Sequence, residues 1–256
     1  MRQLIAFTKK EFMEQRRSGR LLILAIIFCM FGIMNPAIAK LTPWMMDLLS
    51  GDLAENGIII KDIKVDALTS WTQFYKNMPI ALIIFLVMFG GIFSIEYNKG
   101  TLINVITKGL KRWKIVISKT ITMAVIWTLG YLICFGITYG YNSYFWDNSI
   151  AKYLIFSTFC LYLFGMWLIT IIPLASTLFT STSTILLFLG GVYLVVYLLS
   201  FLPDLKEYCP TYLASSSNLL VGAGNTSHFL VSMLITIVLM CFNIYASIIL
   251  FNKRNI

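Results

Sequence analysis

The stretch EYNKGTLINVITKGLKRWKIVISK, residues 96–119, follows an apolar run that ends at Ile95 and leads into a second one that starts at Ile115. It holds Lys99, Lys108, Lys111, Arg112, Lys114 and Lys119 in one short segment. A lipid-facing surface has no packing reason for such a density of charge. The segment therefore reads as a basic, helical loop strung between two membrane spans, serving as a topology anchor, a docking element, or both.

Working outward, the rest of the chain supplies the spans. Its 256 residues are 59% hydrophobic and 12% charged, with a mean hydropathy of +0.82, whereas soluble domains carry about 25% charged residues. About 20 apolar residues are needed to cross the roughly 30 Å hydrocarbon core as a helix. Six runs are long enough and carry no charge near their middle: 21–39, 78–95, 115–139, 153–178, 185–202 and 229–251. The expected fold is an all-α membrane protein, one transmembrane domain over 1–256 with no room for a soluble domain.

Orientation follows from Lys and Arg. With the N-terminus inside, 14 of the 20 basic residues fall on the inner side: Arg2, Lys9, Lys10, Arg16, Arg17, Arg20, the six of the opening segment, Lys253 and Arg254. The outer side holds Lys40, Lys61, Lys64, Lys76, Lys152 and Lys206 and is slightly acidic. This positive-inside bias puts both termini and the 96–119 loop in the cytoplasm. The net charge of +9 thus reports topology and gives no reason to expect a nucleic-acid partner. Ala37-Ile38-Ala39 resembles a signal-peptidase site, but the preceding leader is long and carries Glu11 and Glu14, so a retained first span is the simpler reading.

The N-terminal residues 1–20 read as an amphipathic helix at the membrane surface. Met1, Leu4, Ile5, Thr8 and Phe12 share one stripe, while Lys10, Glu14 and Arg17 lie opposite, spaced to pair at i,i+4 and i,i+3. Membrane lipid is a partner on these grounds.

Catalytic and coupling chemistry is sparse. Acids and bases are absent from mid-span positions, which disfavours ion-coupled transport. No G-x-x-x-x-G-K-[ST] phosphate loop occurs, so the chain is not read as an enzyme, and ATP with Mg is expected on a partner instead of on this chain. The single histidine, His228, has only Asp204, Glu207 and Cys209 near it in sequence, a pattern that solvated loop residues explain. No metal site is expected. Cys29, Cys134, Cys160 and Cys241 lie in spans, leaving Cys209 as the one candidate for a bridge between subunits. The sequon Asn225-Thr226-Ser227 is short enough to arise by chance.

Over SIEYNKGTLINVITKGLKRWKIVISK the chain resembles the first cytoplasmic loop of ABC-2 type exporter permeases, in which a Glu, a Gly-Thr pair and a basic helix precede a Lys at the start of the third span. Those positions are Glu96, Gly100, Thr101, Arg112 and Lys119 here. GIMNPAIAKLTPWMMDLL and SWTQFYKN are similar to the end of the first span and the outer loop of small bacterial members, and the later spans match in spacing and hydropathy.

The resemblance implies two six-span permease subunits, identical or homologous, in the bacterial plasma membrane. A separate ABC ATP-binding subunit would dock on each first cytoplasmic loop, residues 96–114. Glu96, Gly100, Thr101, Lys108, Gly109 and Arg112 are then the coupling residues, with Gly100 turning the chain off the second span. Residues 1–20 correspond to the elbow helix, where Lys9, Phe12, Arg16 and Arg17 are the candidate residues, and Lys9, Arg16 or Arg17 would pair with Glu96. A translocation path between the second and fifth spans would be lined by Phe85, Met88, Phe89, Tyr193 and Tyr197, and CPTYLASSSNLLVGAG would cap its exit as a re-entrant or interfacial half-helix. Such an apolar path suits hydrophobic peptides, antibiotics or lipid-like cargo. The alternative is a polytopic immunity or sensor protein with no transport cycle.

Further expectations concern local structure. Gly90-Gly91, Gly190-Gly191 and the Gly136/Gly140 pair would permit close helix approach, Pro173 would kink the fourth span, Ile63 and Val65 alternate as in a short strand, and Trp71, Phe74 and Tyr75 would lie in an interfacial belt.

Overall fold

The computed structural model describes residues 2–55, 65–107 and 109–254, with the backbone alone at 46, 47 and 49–55. Met1, Lys61, Ile63, Lys64 and Lys108 lie outside the described residues. Helices α1 (Arg2–Arg17), α2 (Arg20–Glu55), α3 (Ala67–Phe89), α4 (Ser94–Asn98), α5 (Thr101–Thr107), α6 (Arg112–Phe145), α7 (Leu154–Leu178), α8 (Thr182–Leu199) and α9 (Thr226–Lys253) account for nearly all of it. Among the described residues, six helical stretches are long and apolar enough to cross a membrane: Arg20–Met45, Ala67–Asn98, Arg112–Phe145, Leu154–Leu178, Thr182–Leu199 and Thr226–Lys253.

Two helices overshoot the bilayer. At 1.5 Å per residue, the 36-residue α2 and 34-residue α6 reach about 50 Å, well beyond the hydrocarbon core. The expected loop over 40–77 is therefore largely helix, because α2 continues to Glu55 through Pro36 and Pro43 and α3 already begins at Ala67. Val65 precedes α3 without strand structure. Asp66 caps α3, its side chain accepting from the Thr69 amide at 3.1 Å.

Helices α2, α3, α6, α7 and α9 form the bundle, and aromatic rings fill it. Trp127 of α6 sits among Phe28 of α2, Phe85 of α3 and Tyr131, with ring centroids 5.5–5.8 Å apart. Two glycines make room for it. A Cβ on Gly165 of α7 would lie 2.4 Å from the Trp127 ring, and one on Gly130 of α6 would lie 2.4 Å from Phe28. Trp71, Phe74 and Tyr75 belong to this core: all three are buried, and Trp71 and Phe74 pack on Phe135. They do not form a surface belt, since α3 begins early enough to carry them inside.

Polar groups within the bundle are paired across helices. Asn77 donates to Asn35 Oδ1 at 2.8 Å, Asn35 donates to Thr138 Oγ1 at 3.0 Å, and Thr138 donates to the Gly32 carbonyl at 3.1 Å, which joins α3, α2 and α6. Asn243 of α9 donates to Thr170 of α7 at 3.2 Å. In apolar surroundings such bonds fix which helix faces meet.

Helix α8 stands at the edge of the bundle. Only Ile185 and Leu189 are buried, and its start packs beside the turn after α3, where Cβ atoms on Gly90 and Gly91 would approach Leu186 at 2.7 Å and Thr182 at 2.9 Å. Gly190, Gly191, Gly136 and Gly140 face open space, so the close approach expected of these four does not occur within one chain. Pro173 lies inside the continuous helix α7. The segment after α8 folds as a 3-10 helix, Pro210–Val221, that buries Leu213, Leu219 and Leu220. Asn225 of the sequon caps α9, accepting from the Ser227 amide at 3.2 Å. His228 bonds to Glu207. Cys209 is buried, and all five cysteines are free.

Candidate functional site

The turn from α3 into α4 and α5 sits at the end of the bundle that also carries α1 and the last turn of α9, the terminal face. Two glycines set the geometry of α5. Gly100, between α4 and α5, has φ +66°, and Gly109, between α5 and α6, has φ +85°. Both are left-handed conformations that a side chain strains. Between them the seven-residue α5 buries Leu102, half-buries Val105 and Ile106, and leaves Thr101, Ile103, Asn104 and Thr107 exposed. The Thr101 hydroxyl donates to the Glu96 carbonyl at 3.2 Å and closes the bend.

A cluster of charges joins α4, which leads into this helix, to α1 and α6. Lys119 of α6 is 1% exposed and pairs at 2.8 Å with Glu11 of α1, itself 0% exposed, and at 2.8 Å with Glu96 of α4. Lys119 also donates to the Ile92 carbonyl at 3.2 Å. Lys10 adds a second cation, 2.6 Å from Glu96, 2.8 Å from Glu14 and 3.2 Å from Glu11. Three carboxylates and two ammonium groups thus tie α1, α4 and the start of α6 into one unit. Buried ions of this kind need every partner in place, because an uncompensated charge cannot recover its hydration.

Carboxylate oxygens of Glu11, Glu14 and Glu96 lie within 4.8 Å of one another, a spacing that suits a cation. Lys10 and Lys119 already supply that positive charge, so the cluster is a salt-bridge network. Partial burial works against the Lys10 ammonium, but its hydrogen bonds to Glu14 and Glu96 outweigh this and raise its pKa above the ordinary lysine value. A raised lysine contributes stability that is complete below its unfolded pKa and lost only as pH rises through the folded one. The Lys10 link is therefore fully formed at neutral pH.

Several expectations change here. Glu96 is paired with Lys10 and Lys119, and Lys9, Arg16 and Arg17 are exposed on other sides of α1. The inward stripe of α1 is Phe7, Glu11 and Gln15, whereas Ile5 of the expected apolar stripe is exposed and Phe12 half-buried. Lys10 and Glu14 do pair across one helical turn. Sequence reading missed Glu11 because an apolar stripe was sought. Its spacing at i+4 from Phe7 and i−4 from Gln15 was the available signal, and it becomes informative only once Lys119 is known to face it.

Arg112 and Arg254 fasten the loop on its other side. Arg112 donates to the carbonyls of Phe251 at 3.4 Å, Asn252 at 3.2 Å and Arg254, capping the end of α9. Arg254 donates to the Ser176 carbonyl of α7 at 2.5 Å and lies 4.5 Å over the Tyr97 ring. The coupling candidates thus divide by position: Glu96 is paired inside the cluster, Arg112 clasps α9, Gly100 and Gly109 form left-handed turns, and Thr101 lies at the surface. Ile103, Asn104 and Thr107, not singled out in the sequence, complete the exposed side of α5.

The path candidates divide as well. Phe85 and Phe89 are both 0% exposed and stack on each other at 4.6 Å inside the bundle. They are core residues, and a cargo moving over the surface of this subunit would not reach them. The outward side of α3 is Ile80, Ile83 and Val87, with Met88 half-buried beside it. Tyr193 and Tyr197 are exposed on α8 and stack at 5.9 Å.

Comparison with known proteins agrees with this architecture. Residues 5–202 match the family described as ABC-2 family transporter protein. An uncharacterized transmembrane protein, YxlG of Bacillus subtilis (strain 168), is 23% identical over 242 residues, covering 90% of this chain and 89% of the relative. With six apolar helices and a family match spanning most of its length, the chain is a multi-pass membrane protein that belongs to the ABC-2 transporter family, and so a membrane permease subunit of an ABC transporter.

Proposed function

We propose that this permease is part of an ATP-driven exporter in the bacterial plasma membrane, with both termini cytoplasmic. A separate ATP-binding subunit docks on the exposed side of α5, and its closure is passed to the bundle through the Glu11, Lys119, Glu96 and Lys10 cluster. ATP and Mg belong to that partner. A second permease, identical or homologous, packs against the sparsely buried α8, and the surface carrying Tyr193, Tyr197, Val87 and Met88 faces a hydrophobic or amphipathic cargo such as a peptide, antibiotic or lipid-like molecule.

One observation carries the reading: a short helix hung between two left-handed glycines is joined through Thr101 and Glu96 to a salt-bridge network shared by α1, α4 and α6. A topology anchor needs basic charge but neither hinges nor buried ion pairs. A helix that receives force needs both, since a rigid unit must pivot at its ends and push on something that does not yield.

The test is to purify the tagged permease from its native membrane and assay the eluate for ATPase. Wild type is expected to bring down an ATPase. Ile103→Asp with Asn104→Arg, both at the surface, should reduce its recovery at least tenfold without lowering the melting temperature of the permease. Gly100→Pro should keep the partner bound and lower drug- or peptide-stimulated turnover at least tenfold. Wild type that purifies with no ATPase would sink the proposal and favour an immunity or sensor role.

A further inference from the structure

Helix α1 has a second face that the salt-bridge network does not use. Ile5, Phe12 and Met13 of α1, together with Ile121 and Val125 of α6, line an apolar groove of about 660 Å³ between the two helices. Ile121 and Val125 are one helical turn apart and exposed, so the floor of the groove runs along α6 into the membrane.

Its rim is positively charged and uncompensated. Lys9 and Arg16 both border the groove and are exposed, seven residues apart, which places them two turns or about 10 Å from each other along the helix. Neither forms an ion pair among the described residues. Both acids of α1 are engaged elsewhere, Glu11 with Lys119 and Glu14 with Lys10, and they face away from the groove. An apolar channel that ends between two free cations at the level of the membrane surface is complementary to an amphiphile with a negatively charged head.

We propose that this groove is a binding site for one anionic phospholipid, with its phosphate between Lys9 and Arg16 and one acyl chain along Ile121 and Val125. A zwitterionic lipid fits less well because its terminal ammonium would meet the same two cations. A soluble phosphate would leave the apolar floor uncovered. Occupancy would hold α1 against α6 from the lipid side, while Glu11 holds it from the inside.

The experiment uses the permease alone, in detergent, titrated with long-chain phosphatidylglycerol or phosphatidylcholine and read by native mass spectrometry. Its outcome therefore does not depend on the exporter reading or on any ATPase. Wild type is expected to hold one phosphatidylglycerol at least tenfold more tightly than phosphatidylcholine. Lys9→Gln with Arg16→Gln should weaken that binding about thirtyfold, as expected for two cations near an anionic surface. Lys99→Gln with Lys253→Gln, the same charge change elsewhere on the terminal face, should change it less than threefold. Val125→Trp, which fills the groove and leaves the charges intact, should weaken it about tenfold with an unchanged melting temperature. Equal affinity for the two lipids, equal losses in the two double variants, or displacement of the lipid by millimolar glycerol phosphate would each overturn the site.

Discussion

Lys119→Met is expected to destabilise the folded protein by about 3–5 kcal/mol, the range for breaking a buried ion pair from one side. The loss arises because Glu11, fully buried, keeps only Lys10 at 3.2 Å, while the 2.8 Å contact that satisfied its other oxygen is gone. Glu96 retains Lys10 at 2.6 Å and is less affected. The asymmetry makes the expectation specific. Glu11→Met should cost less than Lys119→Met, since Lys119 still has Glu96 and the Ile92 carbonyl. The double variant, with both charges removed and apolar groups in their place, should recover most of the stability. Reversible unfolding in mixed micelles measures all three. A Lys119→Met protein within 1 kcal/mol of wild type would show that water reaches the network and that it is not a rigid unit. A stable double variant would also separate folding from force transmission, because it should fold normally yet fail to stimulate ATPase turnover.

Trp127→Ala should cost about 3–5 kcal/mol through the cavity it leaves, and Gly165→Leu about 1–3 kcal/mol or more through overpacking. The two should not add. A Cβ at residue 165 falls 2.4 Å from the Trp127 ring, so the enlarged side chain occupies the space that the indole vacates. The double variant is expected to be more stable than either single loss summed with the other, by at least 1 kcal/mol in a double-mutant cycle. Strict additivity would mean that Phe28 and Phe85, which also flank Trp127, collapse into the cavity before residue 165 can fill it.

The spans were legible because length and apolarity alone decide whether a helix crosses a bilayer, and no tertiary detail enters. Rotation of those helices was not legible. The resemblance makes Phe85 and Phe89 path candidates because it puts the path at the second span, and the apolar run 78–95 carries no sign of which side faces the bundle. Trp71, Phe74 and Tyr75 were misplaced for a related reason: the aromatic-belt expectation assumes where a span begins, and α3 begins eleven residues before the 78–95 run. At the site, Glu96, Gly100, Gly109 and Arg112 stood out by residue type and spacing. Glu11 and Lys10 did not, because a buried carboxylate on an amphipathic helix looks like solvated charge until its partner from a distant helix is in place.

The bond between Arg112 and the end of α9 has a consequence for how the protein is made. Arg112 donates to carbonyls 139 to 142 residues further along the chain. At bacterial elongation rates of roughly 5–20 residues per second, the loop around α5 waits on the order of 10 s after its own synthesis before that clasp can close. Until then the α5 segment is tethered on one side only. If an ATPase docks there as proposed, its assembly would be timed by translation of the last span.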